Sequence, residues 1–203
     1  YLPSVADLHD GAFAGVRHVH LTYGSSELSM QALRRAAASG LSTSLDLEPP
    51  DIVRDPSRLA EVLSLVDTLF LNGEALDVAS RVLGGPLDVT RLRNGGEMIV
   101  TLGARGCRRI TADGSADMPG FAVASVDTTG AGDCFAGSYI ACKLSGGTPS
   151  RCLEFANAAA ALATLDYGAQ AAMPVRSRVE EFLERRGQPA ARGYDDPTGV
   201  TYA

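Results

Sequence analysis

The sequence predicts an α/β fold in which helices cover both faces of a mostly parallel sheet. Short apolar segments rich in branched residues alternate with longer segments of helical spacing, and the connections between them are short. This alternation is typical of parallel sheets, because each crossover between strands places a helix on a face of the sheet. With 203 residues, of which 45% are hydrophobic, the chain is long enough to bury a core of its own.

Four predicted strands, separated by three predicted helices, make up the first half of the chain. The strands are VRHVHLT (16–22), TSLDL (43–47), TLFL (68–71) and MIVTL (98–102). The first helix begins at Glu27 and ends at Gly40, because glycine commonly terminates helices. Asp55 and Pro56 open the second helix, and the third is GEALDVASRVLGG, which also ends in glycine.

The second half is predicted to contain a hairpin and three helices. Asp113 and Gly114 lie between two short β-prone segments, which is a pattern typical of a hairpin turn. A further β-prone segment, FAVASVD (121–127), precedes the glycine turn and the helices, which cover 130–146, 148–165 and 175–187. The tail 188–203 is rich in Pro and Gly and is predicted to be flexible, so 1–187 is treated as one domain.

Composition excludes several classes of protein. The net charge of −6 comes without the basic stripe that nucleic-acid binding requires. Apolar runs are shorter than the roughly 20 residues of a membrane span, and no secretion signal is recognised. The four cysteines lack CxxC spacing and neighbouring histidines, which favours thiols in a reducing cytoplasm over a zinc site.

The segment DTTGAGDCF (127–135) joins a flexible turn to an apolar helix. The first backbone N–H groups of a helix have no carbonyl partners, so Gly130, Ala131 and Gly132 are predicted to bind an anion such as a phosphoryl group. Asp133 has two interpretations. It either complements the helix dipole, which is worth about 0.3–1 kcal/mol, or accepts a proton from an attacking hydroxyl.

Three segments, in this order, resemble the ribokinase-like (PfkB) family of carbohydrate kinases. MIVTLGARG is similar to the family's nucleotide-side strand and turn, VDTTGAGDCFAG to its carboxy-terminal signature, and FANAAAALATLDYGAQ to its adenine-side helix and cation loop. The resemblance runs from about Val16 to Leu183 and is nearest to the ribokinase branch. It implies a doubly wound ribokinase-like fold and a cytoplasmic kinase that transfers the γ-phosphoryl group of ATP to the hydroxyl of ribose or another small sugar.

The resemblance also implies a role for individual residues at the site of transfer. Asp133 would be the general base, and Gly130, Ala131 and Gly132 would stabilise the transferred phosphoryl group. Four residues of the TLGARG turn would border ATP, although a simple β-turn is the alternative: Thr101, Gly103, Arg105 and Gly106. Asn157 would face the adenine, or else it is a polar residue that packs its helix.

Two metal ions are implied by the same resemblance. Oxygen atoms from two loops, mostly backbone carbonyls, would bind potassium; the residues are Asp127, Thr129, Ala163, Asp166, Gly168 and Ala172. In LNGEAL, Asn72 matches the family's nucleotide site, but Ala75 stands where the family has a magnesium-organising Glu. Glu74 is the candidate substitute, and its alternative is a plain position in the first turn of a helix.

The largest departure from the family lies at the beginning of the sequence. The family's first strands and lid, roughly a third of a complete kinase, have no counterpart here. That region carries most sugar contacts and often a homodimer interface, so the sequence does not identify the sugar. Three functions stay open: a sugar kinase, a nucleoside or sugar-phosphate kinase of the same fold, and a kinase-like protein that binds without turnover.

Overall fold

A computed structural model describes residues 4–22 and 27–187, and in it six strands form one sheet in chain order. The first four strands pair in parallel, and the last two add an antiparallel hairpin, as predicted. The turn of the hairpin contains Asp113. The strands are β1 (His18–Thr22), β2 (Ser42–Leu47), β3 (Thr68–Asn72), β4 (Glu97–Thr101), β5 (Gly106–Thr111) and β6 (Gly114–Pro119).

Seven α-helices cover the sheet within the described ranges. They are α1 (Glu27–Ala38), α2 (Pro49–Arg54), α3 (Leu59–Ser64), α4 (Gly73–Val82), α5 (Ala131–Leu144), α6 (Pro149–Ala163) and α7 (Arg176–Gly187). Short 3₁₀ turns join several of these elements. Among these helices, none combines the length and the hydropathy that crossing a bilayer would require.

Successive side chains of a strand point to opposite faces of the sheet, so the core is divided into two layers. Leu69 and Leu71 of β3 pack with the buried residues of α1 to α4 on one face. Phe70, between them, packs with α5, α6 and α7 on the other face, with its ring centroid 6.3 Å from that of Phe135 and 5.6 Å from that of Tyr139. Because β3 is buried on both faces, the prediction that helices cover both sides of the sheet is confirmed.

One predicted segment is irregular, one helix was not predicted, and one prediction cannot be compared. Helix α2 has no counterpart among the predicted helices; its Pro49 and Pro50 occupy the first turn, where proline favours helix initiation. FAVASVD was expected to be β-prone, but it is irregular, because Val126 and Asp127 donate their N–H groups to the carbonyl of Thr164 at 2.7 and 3.2 Å. The tail 188–203 lies outside the described residues.

Candidate active site

The carboxyl ends of four parallel strands meet at one edge of the sheet. Asn72 at the end of β3 lies opposite Thr101 at the end of β4. Thr22 of β1 lies opposite Asp46 of β2 in the same way. Ligands bind beyond this edge in open α/β sheets. Asn72 and Thr101, both predicted site residues, therefore lie side by side where a ligand is expected.

The turn before α5 needs glycine at its first predicted position. Gly130 has a φ of +78°, a backbone conformation that side chains disfavour. A Cβ at this position would lie 2.9 Å from the Cα of Ala169. The start of α5 therefore packs directly on the loop that contains Ala169.

The next three residues supply the first N–H groups of α5. Ala131 donates its N–H to the carbonyl of Thr128 at 3.1 Å, which closes the turn. Within the ranges described, the N–H groups of Gly132 and Asp133 find no backbone acceptor. Those two groups and the positive end of the helix dipole together form a place for an anion. Ala131 differs from the prediction, since its N–H is already used.

Asp133 is exposed in the first turn of α5, close to the ends of two strands. Burial, Glu48 and then Asp133 raise the pKa of Asp46, on β2, to about 7. Burial lowers the pKa of His20, on β1, and the charge of Asp133 opposes that change. Asp133 thus lies at the same edge as the strand ends, as the assignment of a general base requires.

Asp46 is the residue of this region that the sequence analysis missed. It follows Ser42 and Ser44 on one face of β2, while Leu45 and Leu47 pack into the core of the opposite face. The alternation of polar and apolar residues in STSLDL was the available signal. A carboxyl group on that polar face, at the end of a strand, points to the active edge.

The TLGARG turn follows β4 and contains two glycines with positive φ. Gly103 and Gly106 have φ values of +60° and +98°. A Cβ on Gly106 would overlap the carbonyl oxygen of Met118, because the turn packs closely against the end of β6. The side chain of Arg105 is exposed and makes no hydrogen bond or ion pair with the described residues, so its guanidinium is available to a phosphate.

Asn72 shapes the start of α4. Its Oδ1 accepts the N–H of Ala75 at 2.8 Å, which makes Asn72 the N-cap of the helix. Ala75 is fully buried, so the position where the family has a Glu contributes packing here. Glu74 is exposed in the first turn of α4. The geometry is therefore compatible with both interpretations of Glu74.

Asn157 is buried in α6, with 7% of its surface exposed. Its Nδ2 donates to the carbonyl oxygens of Met118 and Pro119 at 3.3 Å each. These bonds tie α6 to the end of β6, which is the packing role that was the alternative to an adenine contact. The adenine contact stays a prediction.

Asp127 joins the two loops that were predicted to bind potassium. Its Oδ1 accepts the N–H of Thr129 at 2.9 Å, and its Oδ2 accepts the N–H of Gly168 at 3.1 Å. These hydrogen bonds, the one from the Thr129 backbone first, lower the pKa of Asp127. The carboxylate therefore holds the turn before Asp133 against the loop after α6.

The other predicted potassium residues lie at the end of α6 or in that second loop. Ala163 is the last residue of α6, and Asp166 accepts the N–H of Tyr167 at 2.8 Å. Ala172 donates its N–H to the carbonyl of Gly168 at 3.1 Å. No group of three or more His, Cys, Asp or Glu side chains that could hold a metal occurs in 4–22 or 27–187. Backbone and substrate oxygens would thus have to supply most ligands of any cation bound here.

Comparison with known proteins finds kinases among the relatives of this chain. The chain is 34% identical over 175 residues to the ATP-dependent ribose-1-phosphate kinase of Halopiger xanaduensis, which covers 83% of this chain and 55% of that protein. It is 32% identical over 162 residues to the ribokinase of Haemophilus influenzae, with 75% of this chain and 51% of that protein covered. The chain thus spans about half the length of the curated relatives it matches.

Solved structures and a family model agree with these relatives. A protein described as ribokinase II from E. coli, in complex with ATP and Mg²⁺, superposes with a TM-score of 0.79 at 27% identity over 90% of this chain and 63% of that one. Fructokinase from Xylella fastidiosa with bound ATP gives 0.79 at 25% identity over 92% and 67%. The pfkB family carbohydrate kinase model matches residues 7–176, and the chain belongs to that family.

Proposed function

We propose that the complete protein is an ATP-dependent kinase that transfers the γ-phosphoryl group to a hydroxyl group of a small sugar. The observation that carries this proposal is the position of Asp133. Its carboxylate is exposed beside two N–H groups that have no acceptor among the described residues, at the edge where the parallel strands end. A proton acceptor next to an anion site is the arrangement that phosphoryl transfer needs.

The chemistry follows from the residues in this arrangement. The sugar hydroxyl loses its proton to the carboxylate of Asp133 as its oxygen attacks the γ-phosphorus, and ADP leaves with the electrons of the broken bond. The N–H groups of Gly132 and Asp133 stabilise the negative charge on the transferred phosphoryl group. Arg105 is free to bind the phosphates of ATP, and Gly103 and Gly106 let the turn approach the nucleotide closely.

Magnesium and potassium are part of the proposal. Magnesium would neutralise charge on the phosphates of ATP. Glu74 is the proposed carboxylate for this ion, because it is exposed and lies two residues after Asn72. Potassium would lie between the two loops that Asp127 joins, among oxygens of Asp127, Thr129, Asp166 and the backbone of that second loop. Hard oxygen donors of this kind suit both ions.

A phosphorylated acceptor is the second candidate. The relative from Halopiger xanaduensis acts on ribose 1-phosphate, by its name, and it is similar over most of this chain. The described residues would form the catalytic and nucleotide sides of the site, and that assignment is compatible with either acceptor.

An ADP-release assay on the complete protein tests the proposal and separates the acceptors. The panel contains ribose, fructose, ribose 1-phosphate, inosine and adenosine, each with ATP and Mg²⁺ in potassium buffer. We expect release with at least one sugar or sugar phosphate above the rate without acceptor. Release with nucleosides only would replace the acceptor class, and no release with any acceptor, despite measured ATP binding, would contradict the kinase assignment.

Two properties of the complete protein belong to the same proposal. A cytoplasmic location is supported by four cysteines that form no disulfide. A homodimer would use the part of the relatives that this chain does not span, and size-exclusion chromatography of the complete protein tests it.

A further inference from the structure

A cavity of about 340 Å³ lies at the edge of the sheet opposite the candidate active site. It is bordered by the starts of β3 and β4, the end of β5, the last turns of α5 and the beginning of α6. Small-molecule sites in proteins have volumes of about 300–1,000 Å³. The residues used in the following argument are Asp67, Arg93, Glu97, Arg109, Tyr139 and Lys143.

The inner wall of the cavity carries one carboxylate and two cations. The side chain of Glu97 is only 6% exposed. Its Oε1 accepts a hydrogen bond from Nζ of Lys143 at 2.6 Å, and its Oε2 accepts one from Nε of Arg109 at 2.5 Å. One negative charge therefore meets two positive charges, which leaves this cluster with a net charge of +1.

A second carboxylate on the wall does not cancel that charge. Asp67 forms an ion pair with Arg93 at 3.4 Å, and its two oxygens also accept hydrogen bonds from the side chain of Asn94 and the backbone N–H of Thr43. The pair is neutral by itself. The first turn of α6, at Pro149, forms another wall and adds the positive end of a helix dipole to the cavity.

Both cations keep donors that no described residue accepts. The ammonium of Lys143 has three donors, and it gives two of them to Glu97 and to Oγ1 of Thr68, at 3.0 Å. The guanidinium of Arg109 has five donors, and its described contacts are those with Glu97 and Tyr139. The side chains of Arg109 and Lys143 are 26% and 49% exposed, so both are accessible from the cavity.

We propose that this cavity binds a small oxyanion, a carboxylate or a phosphate ester, through the remaining donors of Arg109 and Lys143. The planar guanidinium matches two oxygens of such a group, and the excess positive charge selects an anion over a neutral molecule. The site lies about 15 Å along α5 from Asp133, because ten residues separate Lys143 from it and a helix rises about 1.5 Å per residue. It does not depend on the kinase assignment.

The variants Arg109→Gln and Lys143→Met test the proposal without removing the fold. Each leaves Glu97 paired with the other cation, so the cluster becomes neutral and no buried charge loses every partner. Arg108→Gln is the matched control. Arg108 is the neighbouring residue on β5, and its exposed side chain pairs with Asp117 at 2.6 Å.

The probe is inorganic sulfate, titrated into the ¹⁵N-labelled complete protein at constant ionic strength set with NaCl. We expect saturable shifts of the Arg109 side-chain Nε–H and of the amides of Thr111 and Gly147. Either cavity variant should weaken the binding measured at those amides at least tenfold, and Arg108→Gln should change it less than twofold. Parallel titrations with acetate and methyl phosphate tell a carboxylate from a phosphate site.

Sulfate can also bind at the start of α5. The amide resonances of Gly132 and Asp133 report that binding separately. Cavity amides that do not shift up to 100 mM sulfate would overturn the proposal. So would equal binding at these amides by the wild-type protein and both cavity variants.

Discussion

The two edges of the parallel sheet use their polar side chains in different ways. At the carboxyl edge, the side chains of Asn72 and Asp127 accept hydrogen bonds from backbone N–H groups, and the side chains of Asp133 and Arg105 are exposed. At the amino edge, charged side chains bond to one another, and Glu97 has two cationic partners.

At the carboxyl edge the polar side chains fix the geometry of the proposed catalytic site, and at the amino edge they balance charge. The carboxyl edge fixes the path of the backbone with caps and glycine turns, so a reacting group can stay open to solvent and substrate. The amino edge stabilises the fold through direct ion pairs, of which Glu97 is the most buried member. Substitution of a proposed reacting group at the carboxyl edge should therefore change the rate, whereas substitution of a charged group at the amino edge should change stability or anion binding.

The largest effect is expected for Asp133→Asn. The amide keeps the size of the side chain but cannot accept the proton of the sugar hydroxyl, so kcat should fall about 100-fold to 10,000-fold, with ATP affinity little changed. Steady-state kinetics and direct ATP binding measure both quantities. Asp77→Asn, an exposed carboxylate of α4, is the control. If kcat stays near normal, Asp133 only complements the helix dipole.

The next largest effect is expected for a substitution in the glycine turn after β4. A Cβ on Gly106 would overlap the backbone at Met118 and Gly120, and its φ of +98° is itself unfavourable for other residues. Gly106→Ala should lower the free energy of unfolding by about 4 kcal/mol, measured by urea denaturation. Gly103→Ala is the matched control, since a Cβ there meets nothing within 4 Å, and about 1 kcal/mol is expected. Equal losses would contradict this account of the turn.

Asp46 should make stability depend on pH. Its pKa is raised to about 7, mainly by burial, so the folded protein holds a proton that the unfolded chain releases near pH 4. Stability should therefore fall as the pH rises from about 4 to 7, by about 4 kcal/mol from this group.

Urea denaturation from pH 4 to 8 compares the wild-type protein with Asp46→Asn. The variant should lose this part of the decrease and be the more stable of the two at pH 8. Parallel pH profiles for both proteins would show that Asp46 titrates normally.

At the amino edge, Glu97→Gln should cost about 2 kcal/mol of unfolding free energy. The amide keeps hydrogen-bond acceptors but leaves Arg109 and Lys143 without their counter-charge. Thermal and urea denaturation measure the loss, and kcat with the preferred acceptor should stay within about twofold. A larger loss of kcat than of stability would show that the two edges are not separate.

The smallest effect is expected for the potassium site. A cation between the loops that Asp127 joins would order the turn before Asp133, so potassium should raise kcat several-fold over sodium or caesium at matched ionic strength. Asp127→Asn should weaken that activation. Equal rates in the three salts would remove the cation assignment.

Much of the fold follows from local patterns in the sequence. Each of the four parallel strands was predicted to within two residues at each end, and the hairpin was predicted from its Asp113–Gly114 turn, because branched apolar runs and this turn pattern are strong signals. Helix α2 was missed because two consecutive prolines look like a connection. FAVASVD was misjudged because its N–H groups bond to Thr164, 38 residues after Val126, and no local pattern reports such a contact.

The candidate site was predictable at positions where the backbone conformation requires glycine. The positive φ values of Gly103, Gly106 and Gly130 are of this kind. Asp46 and Asn157 were harder to interpret. The pKa of Asp46 depends on burial and on Asp133, which is distant in sequence, and the amide of Asn157 bonds to strand β6 rather than to its own helix.

The agreement between chain order and strand order has a consequence for biosynthesis. Each strand from β2 onward pairs with the strand made just before it, so its partner has already left the ribosome when it emerges, and loop closure stays inexpensive. The helices that cover Phe70, Ile99 and Cys107 are translated after all six strands. Until α5 and α6 arrive, that apolar face is exposed, and we expect nascent chains that stall before residue 131 to be the ones that chaperones bind.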